Sequence, residues 1–145
     1  MLKLALLACL SLATGASTPT AIQPPIQLGQ PSLEIICADM ERRQGIEVDC
    51  SELDAPYIVT SGILNDLGYG EGILGLFRHG DIIIFVSPNV EDFAAIVVHE
   101  TVHYVIYWLD LGLPRCDGEK LARAVSGGEW NERIAAGYSC PVPSS

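Results

Sequence analysis

Leu33, Ile36, Cys37 and Met40 recur at the three- and four-residue spacing of one helix face, with Ser32 as a candidate cap, Arg42 and Arg43 in the last turn and Gly45 beyond it. A short helix is predicted there. Ile46, Val48 and Cys50 then alternate with polar residues, and Tyr57-Ile58-Val59-Thr60 is β-branched and aromatic, so one or two strands are expected before the turn-rich Asn65-Asp66-Leu67-Gly68. The apolar runs 73–77 and 81–86 flank Arg78-His79-Gly80, the pattern of an antiparallel hairpin. Asn89 is the expected cap of a longer helix reaching about Asp110, with Glu91 and Asp92 in its first turn and Gly112 past its end. One face of that helix carries an apolar stripe of Ala94, Val98, Val102, Val105 and Leu109. A further helical stretch is expected between 118 and 136, broken at Gly127-Gly128. The reading is α+β: an N-terminal helix, a small, mostly antiparallel sheet with a hairpin, a long central helix and a C-terminal helix, forming one domain over 32–140.

The ends of the chain read differently. Residues 1–16 begin with Lys3 and continue as an apolar run too short to span a bilayer, ending in the small residues Gly15 and Ala16. A signal peptide is expected, followed by an extended, proline-containing lead-in over 17–31 and, after the domain, a loose tail over 141–145. Cys9 falls in the discarded segment, which leaves Cys37, Cys50, Cys116 and Cys140. An even count suits disulfides in an oxidising compartment, and none of the spacings is that of a structural zinc site. Three pairings are open, of which Cys37 with Cys50 and Cys116 with Cys140 close the shortest loops. The expected localisation is secreted or periplasmic, with no stable membrane anchor after signal cleavage.

A length of 145 residues and a hydrophobic content of 49% fit a single packed core. The formal net charge of -10 argues against a nucleic-acid partner. Gly70, Gly72 and Gly75 spell G-x-G-x-x-G, but no helix is expected to open there, so a nucleotide cofactor is rejected. His79 is read as a solvated turn residue.

The chemistry is concentrated in His99-Glu100-Thr101-Val102-His103. Histidines four apart on a helix present their imidazoles on one face, a turn apart, and can share one ion. Zinc takes such nitrogens together with carboxylate oxygen and leaves a position for water when the site is catalytic. Glu100, beside them, can reach the open side without ligating and act as a general base.

These five residues resemble the H-E-x-x-H helix of the zincin metallopeptidases, and their surroundings resemble the gluzincin branch, whose third ligand is a glutamate on a later helix. The resemblance covers roughly residues 32–136. It implies a minimal zincin-like domain in which His99 and His103 bind zinc, Glu100 is the base and peptide bonds are hydrolysed. The third ligand lies among Glu119, Glu129 and Glu132. Glu119 and Glu132 have the E-x-x-A spacing of small members, with Ala122 and Ala135, and Glu119 is favoured because Cys116, if bridged to Cys140, would fix its position. No histidine follows His103, which excludes the metzincin extension. The hairpin before the central helix suggests strand addition of an extended peptide or protein substrate, with 83–86 as the candidate edge. So small a chain has little room for a separate substrate lobe, which leaves a role for an accessory protein in specificity. The competing expectation is a disulfide-stabilised binding or inhibitory protein with a zinc site and no turnover.

Overall fold

Leu33, Ile36, Cys37 and Met40 are all buried along one face of helix α1, which spans Gln30–Gln44 in the computed structural model. The structure describes residues 24–60, 73–88 and 90–142. The expected signal peptide, the start of the lead-in, the turn at 65–68 and Asn89 lie outside the described residues, as do Gly70 and Gly72. Helix α1 begins earlier than its pattern suggests: Gly29 is the cap, Pro31 sits in the first turn, where a proline's missing N–H is harmless, and Ser32 lies inside the helix. At its other end Gly45 adopts φ 66 and its N–H bonds to the Glu41 carbonyl, 2.8 Å away.

The alternation at 46–50 does not make a strand. Val48 and Cys50 are buried, but the Val48 N–H donates to the Glu41 carboxylate at 3.2 Å and Cys50 is bridged to Cys37. A helix side chain and a disulfide thus draw this segment onto the core without a ladder. The remaining elements follow as β1 (Ile26–Gln27) ahead of α1, then β2 (Tyr57–Thr60), β3 (Gly75–Phe77), β4 (Ile83–Val86), α2 (Phe93–Trp108), α3 (Arg115–Val125) and α4 (Glu132–Gly137). The fold is α+β, with four helices and one four-stranded sheet among the described residues.

The expected hairpin forms, with Leu76 opposite Phe85. The strand order is β1-β2-β4-β3, antiparallel at both outer pairs and parallel between β2 and β4. Residues 83–86 are therefore an interior strand and not the edge: Ile84 and Val86 are fully buried, and β3 takes the outer position beside α2. A parallel partner distant in sequence leaves no local signature, which is why the hairpin alone suggested the wrong edge.

Helix α2 starts at Asp92, whose side chain accepts from the Ala95 N–H at 3.0 Å, so the cap is Asp92 and not Asn89. Its buried face is Val97, Thr101, Val102, Tyr104 and Val105. The apolar stripe is displaced from the expected one, with Ala94 exposed and Val98 and Leu109 half-buried. Two polar groups make that face tolerable: the Thr101 hydroxyl donates to the Val97 carbonyl at 2.7 Å and the Tyr104 hydroxyl to the Asp54 carbonyl at 2.6 Å. Helix α3 begins at Arg115 after Pro114, which puts Asp117 in the first turn. The break at Gly127-Gly128 occurs as expected, and Asn131 caps α4 by accepting from the Ile134 N–H. Cys37–Cys50 and Cys116–Cys140 are both bridged.

Candidate metal centre

The face of α2 opposite its buried stripe carries His99 and His103, and their Nε2 atoms lie 3.2 Å apart. Helix α3 packs against this face. Gly118 is buried at this contact, beside the Ile106 side chain. Buried Leu121 and Ala122 seat α3 on the core, and the Cys116–Cys140 bridge ties its first turn to the segment after α4. Glu119, one residue after Gly118, consequently turns toward the histidines: its Oε2 is 3.3 Å from His99 Nε2 and 3.4 Å from His103 Nε2. His99, His103 and Glu119 form a group able to hold a metal ion, and no second such group occurs among the described residues. Glu129 and Glu132 are exposed and stand apart from it.

The electrostatics are those of a site short of positive charge. Burial pushes the Glu119 carboxyl up, but the adjoining imidazoles of His103 and then His99 outweigh it and hold the pKa at about 2. Burial likewise lowers His103, and Glu119 with Glu100 reverses this, raising it above the usual imidazole value. Although the imidazole nitrogens are close, Glu119 Oε2 is buried without a properly aligned donor. A buried anionic oxygen and two imidazole nitrogens facing one point make a donor set that a cation satisfies and a neutral side chain does not.

Glu100 approaches the group from the side of the sheet. Its Oε2 accepts the Phe77 N–H of β3 at 2.9 Å. The ladder pairs Leu76 inward with β4, so the backbone groups of Gly75 and Phe77 face outward, toward α2. Gly75 is required for this fit: a Cβ there would lie 2.4 Å from Ile96 Cγ2 and 2.9 Å from Glu100 Cγ. Burial raises the Glu100 pKa above the usual carboxylate value, against the opposing pull of His103, His99 and the Phe77 N–H.

Both predicted histidines, Glu100 and the favoured third residue Glu119 thus meet at one cleft. Sequence reasoning missed three of its features. Gly75 matters for close approach and has no part in a phosphate loop. His79 is exposed at its turn, as expected, and its ring also stacks on Tyr107, with ring centroids 4.8 Å apart. Arg123 also lines the cleft. The available signal was helical spacing: Tyr107 follows His103 by four residues, and Arg123 follows Glu119 by four. No protein-family model matches the chain, and neither a curated protein nor a solved structure matches it.

Proposed function

We propose that this chain is a zinc-dependent peptidase of the gluzincin kind, with His99, His103 and Glu119 as ligands and Glu100 as general base. One observation carries the reading. The three donor atoms are separated by 3.2, 3.3 and 3.4 Å, and the edge of a tetrahedron with ligand bonds of about 2.0–2.1 Å is about 3.3–3.4 Å. The donors are thus spaced as one face of a tetrahedral zinc site would require. The two disulfides suit an oxidising compartment, in keeping with the secreted reading. Among the described residues no helix is long and apolar enough to cross a membrane.

When bound, zinc lowers the pKa of water to about 7 and polarises a carbonyl. The rest of the chemistry belongs to the chain. The Phe77 N–H holds Glu100 Oε2, which leaves Oε1 to take a proton from the attacking water. The missing Cβ at Gly75 keeps the space beside Oε1 open. Because burial raises its pKa, the same carboxyl holds that proton long enough to deliver it to the departing amine. With the Phe77 N–H taken by Glu100, the Gly75 N–H and carbonyl and the Phe77 carbonyl are the outward groups of β3 left for an extended peptide to pair with, in place of the interior β4.

The test is metal content and turnover of the oxidised protein. About one zinc per chain is expected, lost in His103→Ala and in Glu119→Ala, together with chelator-sensitive peptide hydrolysis. Glu100→Gln should keep the metal and lower kcat by about 10²-fold or more. Function unchanged in Glu100→Gln would support the binding-protein alternative instead.

A further inference from the structure

Arg123 is four residues beyond Glu119 on α3, one turn and about 6 Å along the same face, and it lines the same cleft. Its surroundings do not satisfy it. Nε is buried without an acceptor, and among the described residues the one hydrogen bond made by the remaining donors is to the Glu129 carbonyl, 3.5 Å from one terminal nitrogen. No carboxylate pairs with it among the described residues; Arg42 and Arg43 share Asp39 and Arg78 pairs with Asp81, while Arg115 and Arg133, also without an ion pair there, are exposed to solvent and Arg123 is part-buried. Glu119, the natural i,i+4 partner, has its carboxylate turned to the histidines. The guanidinium is nevertheless held in position, with its carbon 6.0 Å from the Tyr138 ring centroid and that ring stacked on Trp130.

We propose that Arg123 is a specificity residue that receives a peptide carboxylate, so that this cleft selects peptides with an acidic group close to the bond acted on. The proposal rests on the peptidase reading for what happens at that bond, but not for the binding itself. A guanidinium offers paired N–H donors that match a carboxylate, and one in a chain of net charge -10 that finds no internal acid is suited to an external one. An extended peptide advances about 3.4 Å per residue, so one helical turn puts the acidic group within one to three residues of the bond over Glu119. A free C-terminal carboxylate and an aspartate or glutamate side chain both supply this chemistry.

The experiment measures binding by titration calorimetry to zinc-loaded Glu100→Gln protein, in which probes are not consumed. Acetyl-trialanine is compared as free acid and as amide, and an acetylated tripeptide amide with central aspartate is compared with its asparagine twin. At least one acid should bind about tenfold more tightly than its neutral twin, and the pair that shows the preference identifies the source of the carboxylate. Adding Arg123→Gln should abolish the preference while leaving the neutral probes unchanged. Arg123→Lys, which keeps the charge and the packed stem, should retain part of it and serves if the glutamine variant does not fold. Equal binding of both pairs would overturn the proposal. So would a preference that survives Arg123→Gln, or one lost equally in Arg115→Gln, which removes an exposed cation from the same helix face. The two readings fail separately. Acid preference without hydrolysis by the parent protein removes the peptidase and keeps the subsite, whereas zinc-dependent hydrolysis of acid and neutral peptides at equal kcat/KM does the reverse.

Discussion

At Gly75 a side chain has no room, because the edge strand passes directly over Ile96 and the stem of Glu100. Gly75→Ala must push β3 and α2 apart, and overpacking of this kind costs about 1–3 kcal/mol. The expected outcome is a lower urea midpoint with an unchanged m-value and, on the proposed peptidase reading, a larger loss of turnover, since a displaced strand no longer holds Glu100 through Phe77. Tyr104, whose ring is almost wholly buried, behaves differently. Burial, with the nearby Asp54 charge, raises its pKa above the usual phenol value. A folded-state value above the unfolded one means that its contribution is complete below about pH 10 and is lost as pH rises through the folded value. Alkaline unfolding of the parent protein should therefore be steeper than that of Tyr104→Phe. At neutral pH the same variant loses the hydroxyl bond to the Asp54 carbonyl, at a cost of about 1 kcal/mol. Denaturation curves at neutral and alkaline pH check both statements.

Elements were legible in the sequence to the extent that their signals are local. The spacing of Leu33, Ile36, Cys37 and Met40 is a property of the helix itself, as is the four-residue step from His99 to His103, so helix α1 and two of the candidate ligands could be read directly. Caps were less legible because several polar residues compete at each end. Ser32 and Asn89 look as suitable as Gly29 and Asp92 until the chain's entry angle is known. Asp92→Ala should accordingly cost about 1 kcal/mol, visible as a lower thermal midpoint, because the carboxylate accepts the Ala95 N–H. Features made by two elements together left no sequence trace. The parallel pairing of β2 with β4, which moved the edge to β3, joins residues more than twenty apart. The roles of Gly75 and the Phe77 N–H exist only where β3 meets α2. Val48 and Cys50 misled for a related reason: a disulfide and the Glu41 carboxylate produced an alternating burial pattern that resembles a strand.

At the scale of the molecule, the two disulfides divide the work unequally. Cys37–Cys50 closes a loop of separation 13 between α1 and the following segment, while Cys116–Cys140 closes one of separation 24 and ties the start of α3 to the residues after α4. Constraint of the unfolded chain alone makes the bridges similar in worth, about 3 kcal/mol for the first and about 3–4 kcal/mol for the second. Their relation to the donor set differs. Glu119 is three residues from Cys116, on a helix turn that the bridge holds, whereas His99 and His103 are carried by α2 and seated by the core. Loss of Cys116–Cys140 frees the one donor that comes from a second element, so the three atoms must be brought together at the moment of binding. Affinity then falls by the cost of that ordering. On the proposed zinc-site reading, the Cys116→Ala/Cys140→Ala variant should bind zinc at least tenfold more weakly than the parent in chelator competition, while Cys37→Ala/Cys50→Ala loses comparable stability toward urea and keeps its zinc affinity within a few-fold. Equal weakening in both would mean that global loosening, and not the anchoring of α3, sets the position of Glu119.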